Sequence, residues 1–544
     1  MKRRKTIRRL LLCAVCICAF QAIAAASRTE HMVSTWQPIN YDVSVTFDDK
    51  LSELQKARTV ITVQVLKDGL DLIDLDFGDL PIDDLTVEGK ATSYDRPAGF
   101  LNVHLPRPMK IDDRVTITIT YHGRPKDGLV LGVDKDNHPS ATGDNWPNRV
   151  HHWIPSLDHP SAKATVTFTV NAPARDLVVA NGELGPPTQD SNGTRTWVYH
   201  EGVPIPAYCM VIVVGEFARL EPTTPAITPL SYYVAPSEAN RAVPGFVPAA
   251  PSLKFFSETI APYPYEKLAL IVGATRFGGM ENSSAIVFAS GVLGPRRNPR
   301  MSRAFNVNEA LENVVAHEIA HQWFGDSVTE ASWADLWLSE GFATYFAGLV
   351  SEKYDGEEAF QEYMKRTTDT YLAFAKTTRI PLHDTETETL MDLLNANNYQ
   401  KGACVLHMLR LRLGDDAFFR GLRKYYADNK NSIASSNDLR KALEAASGKN
   451  LQTFFSRWVF GAGHPRYQVA SRPANKNDVV ITLKQLQPDE VFTDPVPLEI
   501  TAGKKTKTVT ITPRTKSESL TVRALRGPIT IKIDPRNTIL KEVE

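Results

Sequence analysis

Residues 314–327 read VVAHEIAHQWFGDS and carry two histidines four positions apart, with a glutamate directly after the first. The apolar residues around them predict a buried helix. Positions i and i+4 of a helix lie on one face, so His317 and His321 can reach a single metal ion. Glu318 leaves the helix at a different angle, which lets it stand beside that metal instead of binding it.

The H-E-x-x-H pattern is typical of zinc peptidases, in which the glutamate is the general base. A chain with 13 histidines can contain it by chance, so the prediction depends on a third ligand. Glu340 follows in the helical stretch SWADLWLSEGFATYF, residues 332–346. A second helix packed on the first could direct Glu340 to the same metal and leave one position open for water, as in catalytic zinc sites. The alternative is a carboxylate that only caps a helix dipole.

Length and charge limit the number of domains and the kinds of partner that we expect. The 544 residues are enough for two to four domains. Equal numbers of basic and acidic residues, 62 each, give no indication of a nucleic-acid partner.

The first 26 residues have the pattern of a secretory signal peptide. MKRRKTIRR is followed by the apolar run LLLCAVCICAFQAIA and then by small residues, so we expect cleavage near Ala24 or Ala26. The alternative is a membrane anchor, but the run is shorter than the roughly 20 residues of a span. We therefore expect a secreted or periplasmic protein without stable membrane insertion after cleavage. Cys209 and Cys404 would then remain, and we expect buried thiols rather than a disulfide framework.

Periodicity predicts a multidomain α+β protein. Segments such as YDVSVTF (41–47), TVITVQVL (59–66) and RVTITITY (114–121) alternate with period two, which predicts an antiparallel β domain. Helical spacing follows a proline-rich link, and strand patterns such as VVITLKQL return near the C-terminus. The predicted division is a signal peptide at 1–26, a β domain at 27–228, a catalytic domain at 229–463 and a β-sandwich at 464–544.

Three further segments accompany the helix motif and its distant glutamate. They are FGGMENSSAIVF (277–288), NYQKGACVLHML (398–409) and SLDHPSAKATVTF (156–168). With these segments the sequence resembles the aminopeptidase N and leukotriene hydrolase family of zinc metallopeptidases (gluzincins), as a short, three-domain, bacterial-type member. The resemblance implies an N-terminal antiparallel β saddle, a thermolysin-like, mainly helical catalytic domain and a C-terminal β-sandwich.

The resemblance also implies a catalytic role for each matching residue. His317, His321 and Glu340 would bind one zinc ion per chain, which activates a water molecule. Glu318 would take the proton of that water and pass it to the leaving amine. Tyr399 would hydrogen-bond the oxyanion of the substrate.

The motif Gly278, Gly279, Met280, Glu281 and Asn282 is the implied substrate-binding segment. Its glycines allow an extended peptide to approach the backbone closely. The glutamate would bind the free α-ammonium of the substrate through a charge-assisted hydrogen bond. The implied activity is therefore hydrolysis of the N-terminal peptide bond of peptides with a free N-terminus.

One departure from the family concerns the second anchor for the amine. Many relatives place a glutamine or glutamate of the N-domain beside the amine, where this sequence has Trp146. Asp144 or Asn145 could replace it only if the loop is shifted. We interpret His151 and His152 nearby as structural or loop residues.

Two other functions compete with a zinc aminopeptidase. One is an epoxide hydrolase resembling leukotriene hydrolase, and the other is a zinc-binding scaffold without catalysis. Many relatives continue into a helical C-terminal domain, so we expect a more open site here or one covered by a partner subunit. The oligomeric state and the preferred N-terminal residue are not indicated by the sequence.

Overall fold

The computed structural model describes residues 30–293, 309–475, 478–488, 490–523 and 528–544. The signal peptide predicted for residues 1–26 lies outside the described residues. The described chain has an N-terminal β-rich region, a region with most of the helices and a C-terminal group of strands. This order agrees with the predicted α+β organisation.

The N-terminal region consists of strands joined by turns. They are β1 (Trp36–Phe47), β2 (Leu54–Val65), β3 (Leu70–Asp76), β4 (Ile82–Val87), β5 (Lys90–Ala91), β6 (Tyr94–Asp95), β7 (Phe100–Met109), β8 (Arg114–Gly123), β9 (Leu129–Val133), β10 (Pro139–Gly143), β11 (Lys163–Pro173), β12 (Leu177–Ala180), β13 (Glu183–Leu184), β14 (Thr188–Gln189), β15 (Thr194–Pro206) and β16 (Ile212–Gly215).

The largest sheet has the order β13-β15-β11-β1-β2-β8-β4-β5, and most of its neighbours are antiparallel. The predicted antiparallel arrangement does not hold at the centre of the sheet, where β1 and β11 pair in parallel, with Asn40 opposite Thr165. Parallel neighbours need a long connection, and residues 48–162 provide one. The alternating inward residues of β1, including Tyr41 and Val43, are fully buried.

A second sheet carries the glycine-rich motif on its edge. Its strands are β17 (Ala218–Leu220), β18 (Leu230–Val234), β19 (Leu268–Val272), β20 (Gly279–Met280) and β21 (Ala285–Phe288), and helices α1 (Ala239–Gly245) and α2 (Ala249–Thr259) lie between β18 and β19. The order is β17-β18-β19-β21-β20, so β20 is at the edge and antiparallel to β21. An edge strand leaves one side of its backbone free for another strand.

The helical region follows. It contains α3 (Glu309–His321), β22 (Val328–Glu330), α4 (Trp337–Asp355), α5 (Glu357–Phe374), α6 (Gly402–Leu413), α7 (Asp415–Asn429), β23 (Ser432–Ala434), α8 (Ser436–Ser447) and α9 (Gln452–Trp458). The apolar spacing of residues 397–412 predicts a single helix, but the segment begins with a π-helical turn, Asn397–Lys401, which α6 continues. Such turns are frequent at functional sites.

The C-terminal strands form two sheets. The strands are β24 (Arg466–Pro473), β25 (Asp478–Gln485), β26 (Val496–Ala502), β27 (Lys505–Ile511), β28 (Ser517–Arg523), β29 (Ile529–Ile533) and β30 (Glu542–Val543). The sheet orders are β28-β25-β24-β30 and β27-β26-β29. Buried residues of both sheets, such as Ile481 and Leu498, share one apolar core with the helical region.

Cys209 and Cys404 are both buried free thiols, which confirms the expectation from the sequence. None of the helices in the described ranges has the length and apolar character of a membrane span.

Candidate active site

Helices α3 and α4 bring the three predicted metal ligands together. His317 Nε2 lies 3.1 Å from Glu340 Oε2 and 3.1 Å from His321 Nε2, and His321 Nε2 lies 3.4 Å from Glu340 Oε2. Ligand atoms about 2.0–2.1 Å from a tetrahedral zinc ion are about 3.3 Å apart. The two imidazoles and the carboxylate therefore fit a zinc ion.

Neighbouring groups fix the orientation of His321. Its Nδ1 lies 3.2 Å from the carbonyl oxygen of Phe324 and 3.0 Å from Ser339 Oγ. A proton on Nδ1 donated to the carbonyl leaves the Nε2 lone pair free for a metal. The turn depends on Gly325, where φ is +127° and an added Cβ would lie 2.5 Å from Ser339 Oγ.

The charges of the three metal ligands affect one another's protonation. Burial opposes ionisation of Glu340, but His321 and His317 outweigh burial and lower the pKa of this carboxyl group. Burial likewise opposes protonation of His321, but Glu340 and Glu281 raise its pKa to about 10. A buried cluster that favours a positive charge among carboxylates is a suitable environment for a divalent cation.

Glu318 lies against the edge strand β20, beside the ligand cluster. A Cβ added to Gly279 would lie 2.3 Å from Glu318 Oε1, so only glycine lets this backbone pass beside the carboxylate. Oxygens of Glu318 and Glu281 and a ring nitrogen of His321 all lie within 4.8 Å of one another. Burial, reinforced by Glu281 and Glu340, raises the pKa of Glu318 well above its ordinary value despite the opposing effect of His321.

The glycine-rich motif is held by its backbone. The carbonyl oxygen of Glu281 accepts a hydrogen bond of 2.9 Å from Gln322 Nε2, directly after the metal-binding helix. Burial raises the pKa of the Glu281 carboxyl group to about 7. Asn282 is fully buried outside the cavity lining, and its Nδ2 lies 3.3 Å from the carbonyl oxygen of Met280.

Tyr399 lies in the π-helical turn, and its ring is parallel to that of His317 at a centroid distance of 5.9 Å. Burial, reinforced by Glu340, raises the pKa of Tyr399 well above its ordinary value, so its hydroxyl stays a hydrogen-bond donor. A close helix crossing positions this residue. A Cβ added to Gly402 would lie 2.8 Å from the Cα of Gly341, the residue after Glu340.

We expect Gly402→Ala to lower kcat at least about tenfold. The added methyl group would push the backbones of α4 and α6 apart, and Tyr399 would no longer be aligned with Glu340. Overpacking should also destabilise the protein by about 1–3 kcal/mol. Gly132→Ala is the control, since an added Cβ there meets nothing within 4 Å. Kinetics and thermal unfolding of both variants check this, and a fully active Gly402→Ala enzyme would show that the crossing does not position the tyrosine.

These residues face one cavity of about 370 Å³. It is lined by Trp146, Phe277, Gly278, Gly279, Met280, Glu281, Asn313, Val314, His317, Glu318, His321, Glu340, Thr344, Tyr363, Leu394, Tyr399 and Gln400. Every predicted site residue except Asn282 lies in this lining.

Neither proposed replacement for the second amine anchor reaches the cavity. Asp144 accepts hydrogen bonds from Arg149 (2.8 Å) and Thr275 (2.9 Å), and Asn145 accepts one from Trp153 Nε1 (2.9 Å). Both residues are fully buried and absent from the lining, whereas Trp146 is part of it.

The two histidines of the same loop lie apart from the cavity lining. His151 Nδ1 is 2.8 Å from Asp158 Oδ2, and its ring lies 4.3 Å from that of His152. Their placement is consistent with the structural interpretation.

The sequence did not reveal two supporting residues. Gln322 also bonds to Asp326 (2.8 Å) and to the backbone N–H of Ser284 (2.8 Å), which ties the glycine-rich motif to α3. Lys163 of β11 donates to the carbonyl oxygens of Asp326 (2.7 Å) and Ser327 (2.8 Å), and burial lowers its pKa to about 7. The available signals were the position of Gln322 directly after the H-E-x-x-H motif and that of Lys163 in the quoted segment 156–168.

A metal-ligand set with an open position, beside a buried glutamate, is characteristic of metal-dependent hydrolases. Two family models match the chain. "Peptidase M1 N-terminal domain" covers residues 37–209, and "Peptidase family M1 domain" covers residues 248–458. The chain belongs to this family, the aminopeptidase N family of zinc metallopeptidases.

Similar proteins include Aminopeptidase M1-A of Oryza sativa subsp. japonica, 29% identical over 64% of this chain and 40% of the relative. Probable aminopeptidase 1 of Sulfurisphaera tokodaii is 26% identical over 74% of this chain and 51% of its own length. Aminopeptidase 2 of Candida albicans is 25% identical over 80% of this chain and 48% of its own length. The matched part of the chain thus spans about half the length of these relatives or less.

Proposed function

We propose that the protein is a zinc-dependent aminopeptidase that hydrolyses the N-terminal peptide bond of peptides. The observation that carries this proposal is the common cavity of the metal-ligand cluster, Glu318, Tyr399 and Glu281. The names of the relatives support it, since each of the three contains the word aminopeptidase. One zinc ion per chain would be held by His317, His321 and Glu340.

Each residue has a distinct task in this mechanism. Bound zinc would polarise the attacking water and the substrate carbonyl and lower the pKa of the water to about 7. Glu318 accepts the proton of the water and delivers it to the leaving amine nitrogen. Its burial, which raises its pKa, suits a group that must hold a proton between these two events. Tyr399 donates a hydrogen bond to the carbonyl oxygen as negative charge develops.

Glu281 limits hydrolysis to the N-terminus. Its carboxylate lies within 4.8 Å of the Glu318 oxygen and the His321 nitrogen, so an ammonium bound there is about one residue away from the metal cluster. The edge of β20 offers backbone groups to an extended substrate, with Gly279 closest to Glu318.

The test compares a free N-terminus with a blocked one. We expect matched peptides with an N-acetyl group to be poor substrates, because an acetylated amine supplies no charge and leaves Glu281 buried without a partner. Glu281→Ala should narrow the difference in kcat/KM between free and acetylated peptides, mainly by slowing the free ones. A charged hydrogen bond contributes about 1.5–3 kcal/mol, or roughly ten- to a hundredfold. An unchanged ratio in the mutant would remove Glu281 from amine recognition.

The two rival functions are not favoured by the cavity. A long apolar tunnel for a lipid epoxide differs from a 370 Å³ cavity whose lining includes Glu281. A scaffold without catalysis would not need both Glu318 and Tyr399 beside the metal ligands. Zinc content measured together with hydrolysis of aminoacyl-naphthylamides separates these functions.

We further propose export across a membrane, supported by the signal-peptide pattern of residues 1–26. For the fold, we propose a β saddle, a thermolysin-like catalytic domain and a β-sandwich. The two C-terminal sheets and their shared apolar core support the last of these.

A further inference from the structure

An apolar wall borders the active-site cavity next to the proposed amine site. Trp146 is only 2% exposed. Its ring makes edge-to-face contacts with Phe277 and Trp333, at ring-centroid distances of 5.9 Å and 5.6 Å. Met280 belongs to the same apolar cluster, and Leu394 packs against it. We call the lining residues Trp146, Phe277, Met280 and Leu394 the tryptophan wall.

The charges of the cavity are confined to one part of it. Every carboxylate and imidazole in the lining belongs to the proposed metal, base and amine groups, and no lysine or arginine lines the described cavity. Asp144, two residues before Trp146, is fully buried and paired with Arg149. The tryptophan wall thus offers no partner for a charged side chain.

The wall is continuous with the amine-binding segment. Met280 immediately precedes Glu281, and both line the cavity. A substrate with its ammonium at Glu281 and its first carbonyl at Tyr399 has its first α-carbon between these groups. The side chain on that carbon would then meet Met280 and the rings of Phe277 and Trp146, which line the same cavity.

We propose that the tryptophan wall selects peptides whose first residue has a large, uncharged, apolar side chain, with Trp146 as the main determinant. This inference rests on the proposed aminopeptidase function. An apolar side chain gains by leaving water for this surface, whereas a charged one would lose its hydration without a partner. Many relatives have a second amine anchor where this chain has Trp146, and an indole, whose N–H only donates, offers no acceptor for the ammonium.

The experiment is a set of kcat/KM values of the zinc-loaded protein for leucyl, phenylalanyl, alanyl, lysyl and glutamyl arylamides. We expect leucyl or phenylalanyl substrates to exceed the alanyl one at least about tenfold, because a few methylenes in an apolar pocket give that discrimination. The kcat/KM values of the leucyl and phenylalanyl substrates should also exceed those of the lysyl and glutamyl substrates at least about tenfold.

Variants of the tryptophan wall test which residues cause this preference. Trp146→Ala and, independently, Leu394→Ala should lower the leucyl-to-alanyl ratio severalfold, and Trp146→Glu should lower the leucyl-to-lysyl ratio at least about tenfold. Ratios within one variant do not depend on the folded fraction, so a partly unfolded preparation remains informative. Trp153→Phe is the matched control, since this tryptophan of the same loop lies outside the cavity lining and bonds to Asn145. Its ratios should equal those of the wild type.

The outcomes are distinguishable. Loss of the leucyl preference in the Trp146 and Leu394 variants, but not in Trp153→Phe, supports the tryptophan wall. A wild-type preference for lysyl or glutamyl substrates overturns the inference and leaves the aminopeptidase proposal standing. Ratios unchanged in both wall variants also overturn it. Failure to cleave any arylamide overturns the proposed function itself, and the inference with it.

Discussion

Glu318→Gln is expected to keep zinc bound and to lower kcat by about a hundredfold to ten-thousandfold, the range typical of a lost general acid–base group. Glutamine has nearly the same shape, so it fits beside Gly279 and spares all three metal ligands. It cannot accept the proton of the attacking water. Zinc content and single-turnover kinetics of the purified variant provide the measurement.

Glu330→Gln is the matched control for this prediction. Glu330 is a buried glutamate of β22, close in sequence to α3 but outside the cavity lining. Its replacement should leave kcat near the wild-type value. Near-normal turnover of zinc-loaded Glu318→Gln would instead exclude Glu318 as the base.

The second large effect is expected for Tyr399→Phe, which should slow the chemical step by about a hundredfold or more. Only a hydroxyl is lost, so the stacked contact with His317 and the fold should persist. Because the hydrogen bond strengthens as charge develops, kcat should fall much more than KM changes.

Tyr345→Phe provides the comparison. This buried tyrosine of α4 contacts His407 Nδ1 at 3.2 Å and lies outside the cavity lining, so its loss should affect stability but not the chemical step. An unchanged kcat in Tyr399→Phe would show that the hydroxyl does not contact the reacting carbonyl.

The local part of the site could be predicted because helix geometry determines it. The spacing of His317 and His321 places both rings on one face whatever surrounds the helix. Bringing Tyr399 to them depends on the contact between Gly341 and Gly402, which are far apart in sequence. Periodicity contains no information on such a crossing, so only the family resemblance indicated Tyr399.

For the fold too, local features could be predicted and long-range contacts could not. Alternation predicted β1, β2 and β8, because it reports which face of a strand is buried. It does not report the direction of the neighbouring strand, so the parallel pairing of β1 with β11 was missed. The π-helical turn was missed because its five residues, NNYQK, are too few and too polar to show a period of their own. The side chain of Trp146 could be placed in the cavity only once the surrounding loop was known.

The most direct measurement of the central claim is mass spectrometry of the products from one peptide and its N-acetyl counterpart, with metal-depleted and zinc-reconstituted protein. We predict that only the zinc-loaded protein acts, and that it shortens the unblocked peptide one residue at a time from its N-terminus. The acetylated peptide should remain intact. Internal fragments of the acetylated peptide, or equal cleavage by the metal-depleted protein, would contradict a zinc aminopeptidase.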